Sequence, residues 1–588
     1  MTAYMQESMD QLPFSTEDKS RRYATELFEG AVGRNWYTAD PSLQLLMRRY
    51  LGEAGLAWAE PHLTEVGALM GGPVAERAEQ TDKNPPRLER YDKWGRDVSR
   101  VVLPESFEAT RRDLMALGFN SGPFRAEAER AGADPAALSA AWLYLLNQAE
   151  IATACALTTG EPMVLSLAED YAPQDIQDRV RAIFEAGGSA GEAAQMLTER
   201  SGGTDLGALE TTATPDGDTW VLNGFKWFVS NVGASVLVVL AKAEGGPDGI
   251  SGIAPFLVLR ERRDGNRNGV RIRQLKDKLG TKAVASGEVE LVDAEAFLLS
   301  PPDLRPVPGS SSTTGFGRMM KLTNAERLNV SMMSLGCARR SLVEAICYAR
   351  AREAFGRKLI DQPLVRRKLS EMIVEVEAAQ ALVFDGFLGP ELRIAASLIK
   401  LRTSRLGLNT ASDALEMHGG NGYIETWPMA RILRDAQVNT VWEGPDNVLC
   451  LDVRRAMERE QAHKPFLHRL REAVEQAPPE EVETVAVLAE QIDGLEAIIE
   501  KWALLDRSTA EARLFPLAQL MVDVYAGAIL LEQAGWEERT LGSRRTSMVA
   551  RLYAERHFRD VSRPAQITAP PEPADQFNLL LGGAIRFE

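Results

Sequence analysis

The residues of this chain best able to do chemistry fall in five short segments. In Val438–Gly444 (VNTVWEG), Glu443 stands between Trp442 and Gly444. A carboxylate shielded from water by a bulky aromatic has its pKa raised toward the range useful for proton abstraction, although such a glutamate standing alone also reads as a surface acid. In Leu197–Asp205 (LTERSGGTD), hydroxyls and adjacent glycines open backbone N–H groups to a ring edge or to phosphate oxygens, or simply make a turn. Trp227-Phe228-Val229-Ser230 sets aromatics beside a hydroxyl, which suits a stacked flat cofactor and suits hairpin packing equally well. Arg352–Gly356 (REAFG) opens a basic stretch through Arg357, Lys358, Arg366, Arg367 and Lys368 that favours anion binding, with Phe355-Gly356 interrupting a helix for close approach to a ligand. Met417–Tyr423 (MHGGNGY) brings bare backbone near a large ligand or ends a helix.

Other patterns carry less. Gly187–Gly191 fits G-x-S-x-G, but that elbow needs a strand before it and here a helical pattern precedes. His463 and His468 are five apart, which is not the i,i+4 spacing of a helical zinc pair. Cys155, Cys337, Cys347 and Cys450 are scattered, with neither metal spacing nor a disulfide framework, so a reducing compartment is expected.

The scaffold that positions these segments is large. At about 150 residues per domain, 588 residues predict three or four domains. Hydrophobic residues at 45% and charged residues at 26% exclude general disorder and fibrous repeats. A net charge of −16 argues against non-specific binding to nucleic acid or anionic membrane. The first residues (MTAYMQESMDQLPF) lack the pattern of a signal peptide and no run looks apolar enough to span a bilayer, so a soluble cytoplasmic protein without membrane contact is expected.

Helical periodicity covers Ser42–Ala54 and Leu138–Leu157, with an irregular polar surface loop between Arg77 and Arg100. Strand signals follow at Thr219–Leu222, Phe225–Ser230, Ser235–Ala243, Pro255–Arg260, Val270–Leu275 and Gly287–Val292, with Asn223-Gly224 predicting a tight hairpin turn. After the linker Ser300–Gly317, long helices are predicted over Arg327–Phe355 and Leu364–Phe384, and the chain stays helical from about His463. The fold class is α+β: a helical domain (1–188), a central β-barrel or β-sandwich (189–305), a helical bundle (312–460) and a C-terminal helical extension (461–588).

Taken together and in this order, the motifs resemble the acyl-CoA dehydrogenase family of flavoenzymes over about residues 130–455. Asn84-Pro85-Pro86 with Arg90-Tyr91-Asp92, MLTERSGGTD, GFKWFVS and WEG resemble its AidB-type subgroup. The resemblance implies non-covalent FAD between the β-domain and the bundle, with Leu197, Thr198, Gly203, Thr204, Phe228 and Ser230 at the flavin. It implies that Arg352, Phe355, Gln362, Glu416, Gly419, Gly420 and Asn447 hold the diphosphate and adenosine of a neighbouring subunit's FAD, hence a homodimer or homotetramer. Substrate contacts would come from Arg327, Tyr423, Trp442 and Gly444.

The implied reaction is α,β-dehydrogenation of an acyl-CoA, Glu443 removing the α-proton while the β-hydride goes to flavin N5, with electrons passing to an electron-transfer flavoprotein or similar acceptor. The backbone N–H of Glu443 would help polarise the thioester carbonyl. Glu326, read at a helix start, matches the position where some members carry the base instead; Glu443 is preferred because its WEG motif is intact. Pro445, Asn447, Glu416 and Phe228 depart from the family pattern. A runner-up is an AidB-like stress-response flavoprotein with little turnover that binds DNA or sequesters acyl-CoA. From residue 461 onward 14 Lys+Arg face 20 Asp+Glu, which disfavours DNA binding despite the stripe Arg544, Arg545, Arg551, Arg556 and Arg559; packing against a partner subunit is the expected use of the extension.

Overall fold

The computed structural model describes residues 30–119, 121–158, 161–186, 192–302, 304, 315–559 and 574–587. The Gly187–Gly191 segment and most of the Ser300–Gly317 linker lie outside the described residues.

The N-terminal block is helical: α1 (Pro41–Leu69), α2 (Ala75–Lys83), α3 (Glu105–Leu117), α4 (Gly122–Arg130), α5 (Pro135–Ala149), α6 (Ile151–Thr158), α7 (Glu161–Tyr171) and α8 (Gln174–Ala186). Local chemistry sets the boundaries. Asp40 caps α1 by accepting from the Leu43 N–H at 2.9 Å, and Asp134 caps α5 by accepting from Ala136 N–H at 2.9 Å, each followed by a proline at the first helical position. The stretch expected to be an irregular loop instead holds a hairpin, β1 (Arg87–Tyr91) and β2 (Asp97–Val102), which packs on the β-domain.

The β-domain comprises β3 (Ala193–Met196), β4 (Thr212–Asp216), β5 (Thr219–Ser230), β6 (Val236–Ala243), β7 (Ile253–Leu259), β8 (Val270–Leu275) and β9 (Ser286–Leu298). Its sheet order is β3-β6-β4-β5-β9-β7, with β6 also pairing β7 and β8 pairing β9. Asn223-Gly224 is not a turn. β5 runs straight through it with a shift of register, because Asn223 exchanges hydrogen bonds with Asp293 and Gly224 lies so close to Thr211 that a Cβ would meet its Oγ1 at 2.3 Å. The real turn joins β4 to β5 at Gly217, whose φ is +63°. One face of the sheet packs its alternate apolar residues inward, and the other is covered by α7 and α8.

The bundle consists of α9 (Gly315–Ala351), the short hairpin β10 (Glu353–Ala354) and β11 (Arg357–Lys358), α10 (Pro363–Leu388), α11 (Ala395–Met417), α12 (Pro428–Val438) and α13 (Asp446–Glu460). Because α9 begins at Gly315, Glu326 sits well inside the helix and is not an N-terminal charge. The extension adds α14 (His463–Glu475), α15 (Val482–Trp502), α16 (Arg507–Ala512), α17 (Leu514–Leu541), α18 (Arg545–Phe558) and α19 (Ala574–Ala584). α17, α18 and α19 pack on α10 of the same chain, and one apolar core runs from α1 through the bundle into the extension. α17 corrects the expectation that no run is apolar enough to span a bilayer: it passes by length and composition, with 72% of its apolar window buried in the protein. None of the four cysteines forms a disulfide, and all four are buried.

Candidate active site

The Trp442-Glu443-Gly444 turn follows α12 and ends where α13 begins. Glu443 has a φ of +53° and Gly444 one of +101°. A left-handed glutamate costs about 1–3 kcal/mol unless its surroundings hold it, and two cations do so. Arg327 Nε donates to the Glu443 carbonyl at 3.4 Å, and Lys400 Nζ donates to the Gly444 carbonyl at 2.5 Å. Arg327 is itself held by Asp452 at 2.8 Å, Ser397 at 3.0 Å and Asn324 at 3.0 Å. The guanidinium expected to meet substrate therefore braces the turn from behind. The N–H groups of Glu443 and Gly444 donate to no protein group among the described residues.

The Glu443 carboxyl is pushed up by burial, opposed by the charges of Arg327 and then Lys400. Glu326 is 8% exposed and is pushed up to about 8, first by burial and then by the charge of Glu443, with a hydrogen bond from Asn329 acting the other way. Two glutamates far apart in sequence thus share one electrostatic site, and the burial of Glu326 favours its holding the proton at neutral pH.

On the β-domain, Glu199 folds the LTERSGG loop onto β5. Its buried carboxylate accepts from Glu210 N–H at 2.5 Å, from Thr211 N–H at 3.2 Å and from Lys226 Nζ at 2.6 Å. Lys226 is fully buried and also donates to the Leu240 carbonyl at 2.6 Å. The Thr198 carbonyl accepts from Trp227 N–H at 2.9 Å, and a Cβ at Gly203 would meet Thr198 at 3.0 Å. The N–H groups of Gly203 and Thr204 donate to no protein group among the described residues. A second register shift in β5, between Lys226 and Val229, keeps both of these residues inward and leaves Phe228 49% exposed. Ser230 Oγ lies 3.2 Å from Ser286 Oγ. Leu197 packs beside the α7–α8 face of the sheet. Open N–H groups, an exposed aromatic and a hydroxyl on one loop and strand fit the edge of an isoalloxazine ring.

A third group gathers at the far end of α9. Phe355 (φ +54°) and Gly356 (φ +78°) form a two-residue hairpin turn, both left-handed as that turn requires. Arg352 N–H donates to the Tyr348 carbonyl at 2.8 Å, Gln362 Nε2 donates to the Ala354 carbonyl at 3.1 Å, and Asn421 Nδ2 donates to Tyr348 Oη at 3.2 Å. Tyr348 thereby ties the hairpin to the segment carrying Glu416, Gly419, Gly420 and Tyr423. Phe355 is 96% exposed, and Tyr423, Leu364 and Ile424 are also exposed. Such apolar exposure is what a ligand or second subunit covers. Asn447 is an exposed residue of the first turn of α13, next to Asp446, which Arg405 holds.

Lys400, Lys226 and Glu199 were not singled out from sequence as site residues. The signal for each lysine was a charge at an inward position of an apolar pattern, SLIKL in α11 and LNGFK in β5.

Family models match three consecutive parts of the chain: the adaptive response protein AidB N-terminal domain over residues 29–182, the acyl-CoA dehydrogenase middle domain over 194–294, and the acyl-CoA dehydrogenase C-terminal domain over 313–458. AidB of Escherichia coli (strain K12) is 30% identical over 448 residues, covering 72% of this chain and 78% of AidB. The crystal structure of Caenorhabditis elegans ACDH-11 in complex with C11-CoA superposes with a TM-score of 0.80 at 24% identity, covering 91% of this chain and 93% of that one. A Bacillus anthracis acyl-CoA dehydrogenase complexed with FAD superposes with a TM-score of 0.65 at 18% identity, covering 97% and 91%. With a relative at 30% identity spanning most of both chains and the same order of helical, β and helical parts, the chain belongs to the acyl-CoA dehydrogenase family.

Proposed function

We propose that this protein is a FAD-dependent acyl-CoA dehydrogenase that introduces an α,β double bond into an acyl-CoA thioester. The observation that carries the reading is the braced Glu443–Gly444 turn, which sets a half-buried carboxylate beside two backbone N–H groups without protein acceptors among the described residues. Glu443 takes the α-proton, and its own N–H binds the thioester oxygen as negative charge develops there. Bound FAD supplies the acceptor for the β-hydride. Thr198, Gly203, Thr204, Phe228 and Ser230 hold the ring. Arg352, Phe355, Gln362, Glu416, Gly419, Gly420 and Asn447 hold the diphosphate and adenosine of a partner's FAD, which makes the protein a homodimer or homotetramer. Tyr423, Trp442 and Gly444 border the acyl-CoA, and an electron-transfer flavoprotein or similar acceptor reoxidises the enzyme.

Anaerobic titration with a panel of acyl-CoA thioesters, following the visible band of oxidised flavin, tests this. Bleaching by one of them is expected. Binding of an acyl-CoA without bleaching would favour sequestration, and purification without flavin would overturn the reading. Within the basic stripe of the extension, Arg544, Arg545, Arg556 and Arg559 each pair with a carboxylate, whereas Arg551 forms no ion pair among the described residues; the pairing weighs against a DNA-binding role.

A further inference from the structure

Lys400 lies in the second turn of α11 and is fully buried. Among the described residues its only hydrogen-bond acceptor is the Gly444 carbonyl, at 2.5 Å, and it forms no ion pair. Burying an ammonium with one neutral acceptor costs several kcal/mol, and a methionine would fill the same place in the helix without that cost. The charges around it come from three helices. Arg327 comes from α9, Arg405 from α11 and Asp446 from α13, with Glu443 in the turn that precedes α13. Asp446 is taken by Arg405 at 2.7 Å, and Asp452 by Arg327 at 2.8 Å and Arg393 at 2.9 Å. Glu443 and Glu326 form no ion pair among the described residues, so Lys400 is the one cation of this group without a carboxylate of its own.

We propose that Lys400 is a positioning residue for proton abstraction: it pins the Gly444 carbonyl, so that the Glu443 carboxylate and N–H keep their direction, and it supplies positive charge that keeps Glu443 ionised. The inference rests on Glu443 being the base. Arg327 contributes a permanent charge to the same carboxylate, whereas burial lowers Lys400 to about 8 despite the charges of Glu443 and Asp446, so the charge of Lys400 is the one that fades in mildly alkaline solution.

The test uses the full-length, flavin-loaded protein and its Lys400→Met and Lys400→Arg variants, with Glu443→Gln to assign the infrared band of the protonated Glu443 carboxyl. In Lys400→Met, the pH midpoint of that band is expected to rise by about one unit, and amide hydrogen exchange across residues 439–449 to quicken about tenfold or more. Lys400→Arg should restore the midpoint. An unchanged midpoint in Lys400→Met, or a loosened turn in both variants with no shift, would reduce Lys400 to a packing residue and sink the proposal. If Lys400→Met unfolds too readily to titrate, thermal unfolding of the double variant with Glu443→Gln decides: the two losses are expected to be non-additive, and strict additivity counts against the coupling. These readouts need no turnover. A wild-type flavin that no acyl-CoA bleaches would reject the proposed reaction and leave the Lys400–Gly444 linkage separately decided.

Discussion

Arg327 and Glu443 are 116 residues apart in the chain, yet the guanidinium of one donates to the backbone carbonyl of the other at 3.4 Å. The contact fixes the Glu443–Gly444 peptide with its carbonyl toward Arg327, so the N–H of that trans peptide, which is Gly444's, points the opposite way. Asp452 holds Arg327 in place, and the Asp452 carboxyl is kept well below the usual range, with Arg393 and Arg327 each offsetting the cost of burial. The candidate base therefore owes its backbone direction to ion pairs on α9 and α13.

Exchanging the two glutamates one at a time assigns the base. Glu443→Gln should slow flavin bleaching by acyl-CoA by about 10²–10⁴-fold while retaining FAD; Glu326→Gln should keep most of the rate. Rapid-mixing absorbance under anaerobic conditions measures both, and full-speed bleaching in Glu443→Gln would move the role to Glu326.

Glu326 also links stability to pH. Its folded pKa, about 8, lies above the ordinary 4.5, so the stabilising contribution of its protonated form is complete below about 4.5 and is lost as pH rises through 8. Glu326→Gln keeps a neutral side chain throughout. Between pH 5 and 8.5 its thermal midpoint should gain on the wild type by about 1–3 °C. Differential scanning fluorimetry across that window checks this, and a pH-independent gap would contradict it.

The Glu199–Lys226 pair is buried, with side chains 3% and 0% exposed. Removing one partner strands a charge in the sheet, so Glu199→Gln or Lys226→Met should each cost about 3–5 kcal/mol and lower the flavin content as the LTERSGG loop loosens. The double variant should recover much of the loss. Thermal melts and flavin-to-protein absorbance ratios report it, and additive losses would show that the two side chains act separately.

Phe355 is 96% exposed at the tip of its hairpin, so Phe355→Ala should leave the unfolding of the chain nearly unchanged. If the hairpin grips a partner's FAD, the variant should lose flavin on dilution and sediment as a smaller species. Unchanged flavin content and size would remove the hairpin from the cofactor site.

Arg545 donates to Glu377 at 2.7 Å and ties α18 to α10. Arg545→Ala should destabilise the protein by about 3 kcal/mol, because the Glu377 carboxylate is left buried and unpaired. Retention on DNA should not respond. Weakened salt-sensitive retention with an unchanged melt would instead point to a nucleic-acid role.

Read alone, the sequence determined where the Leu197–Asp205 segment, the Trp442-Glu443-Gly444 motif and the basic stretch after Arg352 lie, and the order of helical and β parts. Those signals are local: glycine tolerance of left-handed backbone, caps, and apolar periodicity act over a few residues. The same locality misread Asn223-Gly224 as a turn, because only the neighbouring Thr211 and Asp293 show why glycine is needed inside a strand. Tertiary structure alone decided that Glu326 and Glu443 share a site, that Arg327 and Lys400 brace the turn from behind, and that the extension covers α10 of its own chain. A charge becomes costly, and thus directs geometry, only once packing has excluded water around it, and no stretch of residues carries that packing by itself.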